Sequence, residues 1–182
     1  MLLKNTKIRV DQNGFPSDLL TAQELIYKPC NFKYSSPVPA AQSADYCAYT
    51  FNVKNLAVQY RIAKVTPTKV GQFVTLWKKT GNGPVQPFDY TDDVDLFIVG
   101  TRQGDRFGQF IFPKAILQDR GIVSTMIREG KRAIRVYPPW DMIYSRQAQK
   151  TQQWQLAYFL EMGAGLPIDL IRTNTLYKDI NI

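Results

Sequence analysis

No histidine occurs among the 182 residues, and that absence decides which chemistry the chain can do. Ser-His-Asp and Cys-His nucleophile pairs are excluded, together with most transition-metal sites. Carboxylates, lysines, tyrosines or an oxygen-held magnesium ion are what remain. The nearest approach to a magnesium-dependent nuclease is Asp95, Gln109 and Lys114, with Asp89, Asp92 and Asp93 in reserve. Such a site needs a second carboxylate where Gln109 stands and a lysine closer to it than Lys114, which lies five residues on, beyond Pro113. The match is poor, so no catalytic, metal or cofactor site is assigned. The milder reading of the aspartates is that they neutralise neighbouring cations at a strand entrance.

The cations are better organised. Residues 46–88 hold Lys54, Arg61, Lys64, Lys69, Lys78 and Lys79 and no acid; residues 130–160 hold Lys131, Arg132, Arg135, Arg146 and Lys150 against Asp141 alone. These stretches carry +6 and +4 of a net +8, so the rest of the chain sums to −2. Segregation of this kind produces a field that attracts phosphates, whereas a merely solubilising surface intersperses the two signs. Nucleic acid is therefore the expected partner. The competing reading is a protein-interaction module for an acidic partner.

The elements that must position these residues follow from periodicity. Asn13-Gly14-Phe15-Pro16 is turn-like, and Ser17-Asp18 caps a helix through Ile26 that stops before Pro29. Residues 46–53 and 56–64 are strands around a two-residue turn at Lys54-Asn55. A third strand spans 72–78, and 94–99 with 107–112 form an antiparallel pair. A short helix opens at Pro113 and ends at Gly121. A strand covers 133–137, and a helix runs from Ser145 to Leu160, ending near Gly163-Ala164-Gly165. Strands in runs with helices at both ends predict an α+β single domain, with a largely antiparallel twisted sheet flanked by helices. The start of the chain turns polar after three residues and no window is apolar enough for a membrane span, so a cytoplasmic protein is expected. Cys30 and Cys47 have no metal-type spacing.

Four segments share a composition of cations, amides and aromatics. They are Arg61-Ile62-Ala63-Lys64-Val65-Thr66-Pro67-Thr68-Lys69-Val70-Gly71-Gln72-Phe73-Val74-Thr75-Leu76-Trp77-Lys78, Gly108 to Lys114, Gly130 to Trp140, and Gln147 to Gln155. In order and spacing they resemble the MepB-like family over residues 45–160. The family takes its name from a bacterial operon that also encodes a multidrug efflux pump and its regulator. The resemblance implies a fold likened to the DNA-recognition part of certain restriction endonucleases.

Within the segments the residues allow definite assignments. Thr66 with Pro67 either opens a turn whose N–H groups cradle a phosphate between Lys64 and Lys69, or makes a tight strand connection. Arg61 either grips a phosphate or pairs with a carboxylate such as Asp95. Lys78, Lys131, Arg132, Arg135 and Lys150 are assigned to phosphates, and a Gly130 turn opening into three cations is the strongest set. Gln72, Gln147 and Trp77 are candidates for base or sugar contact, with Trp77 and Trp140 equally at home in a core or at its rim. On the last helix Gln147, Lys150, Thr151 and Trp154 share one side, Trp154 as a core anchor.

Overall fold

The structure is a computed structural model that describes residues 11, 15–40, 47–163, 165 and 167–178. Tyr46, Asn13-Gly14, Ala164 and the first ten residues, on which some expectations fall, lie outside the described residues.

Ser17–Ala22 form α1, which continues as a π-helical turn over Gln23–Tyr27. Pro16 rather than Ser17 occupies the cap position, and the Asp18 carboxylate accepts instead from the Arg102 guanidinium at 2.9 Å. Strands β1 (Val38–Pro39), β2 (Tyr49–Val53) and β3 (Leu56–Ile62) follow. The expected two-residue turn joins β2 to β3, with Lys54 at φ +56°. Next come β4 (Lys64–Thr66), β5 (Lys69–Thr75), β6 (Trp77–Lys78) and β7 (Gln86–Pro87). The expected antiparallel pair is β8 (Leu96–Gln103) with β9 (Arg106–Pro113). Helix α2 (Lys114–Asp119), β10 (Ala133–Val136), α3 (Arg146–Leu156), β11 (Phe159–Glu161) and α4 (Leu170–Leu176) complete the order.

The six-stranded sheet runs β1-β2-β3-β8-β9-β11, and every pairing in it is antiparallel except β3 with β8. A parallel pair requires a crossover. Here the crossover is the segment β4 to β7 rather than a helix, and it carries most of the longest family-like motif over one face of the sheet. On that face Phe97, Val99, Phe110 and Phe112 pack with Val74, Leu76, Leu117 and Val136. On the other face Val58, Tyr60, Ile98 and Ile111 pack with Leu19, Ile26 and Tyr177. The fold is α+β with a mostly antiparallel sheet, as the order of periods predicts.

Three expectations need correction. The last long helix ends at Leu156, not Leu160, and 159–161 are a strand paired with β9 through Phe159↔Phe110 and Leu160↔Gln109. Phe159 enters one core and Leu160 the other, so the apolar run reflects a strand buried on both faces. The strand predicted over 72–78 starts earlier, at Lys69, and breaks after Thr75, Trp77 and Lys78 pairing separately with Pro87 and Gln86. The strand expected over 56–64 ends at Ile62, and Lys64 begins β4 in a separate three-stranded sheet, while α4 is a helix the periodicity did not predict. Among the described residues no helix is long and apolar enough to cross a membrane.

Candidate nucleic-acid interface

The two cationic stretches meet because β10 pairs with β5 in a three-stranded sheet ordered β10-β5-β4. The ladder sets Thr75 opposite Ala133, Phe73 opposite Arg135 and Gln72 opposite Val136. Lys64 lies opposite Phe73 on the other side, so Lys64, Phe73 and Arg135 form a row across one face. Beside β10 stands α3, whose start is capped by the Ser145 hydroxyl accepting from the Ala148 N–H at 3.1 Å. Buried Gln155 joins the two. Its amide nitrogen donates to the Arg135 carbonyl at 2.9 Å and its oxygen accepts from the Tyr137 N–H at 2.9 Å. A side chain that completes the free edge of a strand in this way fixes the distance between strand and helix.

The result is a groove of about 670 Å³ lined by Lys69, Arg120, Lys131 and Arg135 together with Tyr137, Ser145, Gln147, Thr151, Trp154 and Gln155. No aspartate or glutamate is among its lining residues. Arg135 donates to the Thr66 hydroxyl at 2.8 Å and the Gly71 carbonyl at 3.0 Å. These acceptors are neutral, so the guanidinium is held in place with its charge uncancelled. The Arg120 guanidinium lies 5.0 Å from the centre of the Trp154 ring, a cation–π contact between two residues that line the groove.

Other candidates fall elsewhere. Thr66-Pro67-Thr68-Lys69 is a tight hairpin turn, Thr66 facing Lys69 in register, with Thr66 accepting from Arg135. Arg61 is 3% exposed, donates to the Tyr60 carbonyl at 2.8 Å and lies 6.0 Å from the Phe88 ring. Burial pulls its pKa down to about 10, and no carboxylate among the described residues pairs with it. Gln72 is 1% exposed and its amide reaches only toward the Arg102 carbonyl. Lys78 is clamped by Asp89 at 2.6 Å and Asp92 at 2.5 Å, with the Asp89 carboxyl lowered to about 2 chiefly by that ammonium. The aspartates at this strand entrance thus neutralise a lysine. Arg132 is exposed, pairs with Glu129 at 3.0 Å and donates to the Val85 carbonyl. Trp77 is half-buried on β6, and Lys150 is exposed on α3 without lining the groove. Trp154 meets Phe112 at 5.5 Å, as an anchor should, while Trp140 packs edge-on against Phe159.

The groove therefore gathers Lys69, Lys131, Arg135 and Gln147 from the sequence candidates and adds Arg120 and Tyr137. Arg120 lies outside both cationic stretches and next to Asp119, so charge segregation gave no signal for it.

A family model described as MepB-like matches residues 40–161. The chain belongs to the MepB-like family. A solved crystal structure of MepB is similar at 37% identity and a TM-score of 0.69, covering 72% of this chain and 88% of that one. Among curated proteins none matches the chain.

With the family fixed, its motifs can be sorted by what they touch here. The motif from Gly108 to Lys114 does not build a metal site with Asp95. Gln109 is fully buried on the Tyr60 side of the sheet, opposite Gly100 and Leu160. Asp95 accepts from the Ala57 N–H at 2.8 Å, and Lys114 donates to the Asp92 carbonyl at 2.8 Å. Among the described residues no group of three or more Cys, Asp or Glu side chains could hold a metal ion. The Gly130 of the third motif has a packing reason. A Cβ there would strike the Ile122 carbonyl and come within 2.7 Å of the Ser124 nitrogen.

Asp141, in the loop between β10 and α3, supplies a pH prediction. Burial pushes its carboxyl from 3.8 up to about 6, and Oδ2 has no hydrogen-bond partner. The native state therefore keeps this proton to higher pH than the unfolded chain does, and stability falls as pH rises from about 4 to about 6. Asp141→Asn is expected to remove that slope and raise stability at pH 7 by about 1 kcal/mol, a value discounted for partial exposure. Urea unfolding at pH 4 and pH 7 checks it: the gain should be confined to the higher pH.

Proposed function

We propose that this protein binds nucleic acid, gripping the phosphate backbone in the groove between β10 and α3. The observation that carries the reading is that Lys69, Arg120, Lys131 and Arg135, drawn from three separate parts of the chain, line one groove without a carboxylate. Neighbouring phosphates repel one another and need closely spaced cations with few competing anions. Gln147, Ser145 and Thr151 add neutral groups for sugar or base edges. Trp154 and Tyr137 add ring faces, partly covered by Arg120 and by the hairpin at Gly71. We infer a cytoplasmic setting, in which the free thiols of Cys30 and Cys47 stay reduced.

The deciding experiment is a salt titration of binding to single- and double-stranded DNA and RNA, with and without magnesium. Four phosphate contacts predict a slope of log K against log salt of roughly −3 to −4 on duplex DNA. Binding that ignores salt, or no binding at low salt, would overturn the reading. Magnesium-dependent cleavage would place the protein among enzymes instead.

A further inference from the structure

The loop between α2 and β10 ends in a turn that nothing in the groove explains. Thr125 and Arg128 bridge its base, with the Thr125 N–H donating to the Arg128 carbonyl at 2.9 Å. Below it the Gly130 N–H donates to the Ser124 hydroxyl at 2.8 Å, and the Lys131 N–H to the Ile122 carbonyl at 2.8 Å. The Ser124 backbone is further tied to Phe88 and Tyr90. The Arg128 guanidinium packs over Gly121, whose φ of +62° favours glycine. On this stiff stem Met126 is 84% exposed and Ile127 is 96% exposed. Single exposed apolar residues are ordinary, but two adjacent ones at the tip of a pinned turn are not.

The stem is also a wall of the cationic groove, since Arg120, Ile122 and Lys131 line it. Ile127 is four residues from Lys131, so their backbones stand no more than about 14 Å apart. We propose that Met126 and Ile127 form a wedge that enters a stacked base step while the groove holds the adjoining phosphates. This rests on the nucleic-acid reading above and narrows the ligand to a duplex with a deformable step. Apolar wedges of Met, Ile, Leu or Phe beside phosphate-binding cations are how proteins unstack and kink a duplex. The geometry favours this over a lipid surface. Arg135 and Arg120 line a concave groove, which the convex surface of a rod-shaped duplex matches better than a flat bilayer does.

The test uses the full chain, a Met126→Ser/Ile127→Ser variant, and duplexes carrying 2-aminopurine beside either a TA step or an A-tract. Anisotropy reports binding and 2-aminopurine fluorescence reports unstacking in the same sample. The wild type should unstack the base and prefer the TA duplex by about tenfold. The variant should keep the salt slope and lose both the fluorescence rise and the preference. Wild-type binding without a fluorescence rise, or a variant that behaves as the wild type does, sinks the wedge and leaves the groove standing. Absence of duplex binding sinks both. Capture by phosphatidylglycerol vesicles that requires Met126 and Ile127, with no unstacking, assigns the tip to a membrane and overturns the proposal. Both side chains are solvated, so a melting curve like that of the wild type confirms the variant is folded.

Discussion

A Lys69→Glu/Arg120→Glu/Lys131→Glu variant is expected to bind duplex DNA about a thousandfold more weakly at 0.15 M salt, its salt slope falling toward that of a single contact. Each reversal removes one released counterion and sets a like charge beside a phosphate. Arg135 alone would then remain of the four groove cations, and its guanidinium is already engaged by Thr66 and Gly71. The fold should survive. Lys69 and Lys131 are exposed, and Arg120 gives up only its contact with Trp154, a loss of about 1 kcal/mol. Three reversals lower the net charge from +8 to +2, so a control must change charge equally elsewhere. Lys28→Glu/Lys33→Glu/Arg106→Glu does so outside the groove. If the control loses as much affinity as the groove variant, a diffuse field does the binding and the groove is not a site.

The triple variant also shows where charge segregation succeeds and fails as a guide. It locates Lys69, Lys131 and Arg135 because one ladder, β5 with β10, joins the two basic stretches. It also selects Lys78 and Arg132, which nearby acids partly or wholly neutralise in space. Asp89 and Asp92 lie just outside the first acid-free stretch, and Glu129 one residue before the second. Counting charge within a window cannot register a partner at its border. Arg61 fails differently. Alternation along β3 puts it on the opposite sheet face from Tyr60, and that face is covered by the crossover β4 to β7. Whether a face is wet is decided by elements distant in sequence. The Lys54-Asn55 hairpin, the β8–β9 pair and the start of α3 at Ser145 were legible because each is a local choice of turn residue, strand alternation or helical period. The end of α3 was not, because a strand buried on both faces has the same apolar run as a buried helix.

Gly108→Ala should be severely damaging although it lies outside the groove, lowering stability by about 3 kcal/mol and the melting temperature by roughly 6–12 °C. By strand propensity alone the change should help, since glycine is a poor strand residue. Packing reverses the sign. Gly108 sits opposite Thr101 on one side and Glu161 on the other. A Cβ there would run into the Phe159 ring and come within 2.7 Å of the Leu160 carbonyl. The ring is wedged between Phe110 at 4.8 Å and Trp140 at 5.6 Å, so it has little room to turn. The carbonyl belongs to β11, which can retreat only by breaking its ladder with β9. The Thr101 hydroxyl, which donates to the Gly108 carbonyl at 3.1 Å, ties the same peptide from the other side. This motif thus serves the sheet rather than the groove, and thermal unfolding together with binding per folded molecule separates the two roles. The expected result is a protein that melts early yet binds with wild-type affinity while folded. An unchanged melting curve with weakened binding would move the motif into the ligand site and show that β9, not the β10–α3 groove, meets the nucleic acid.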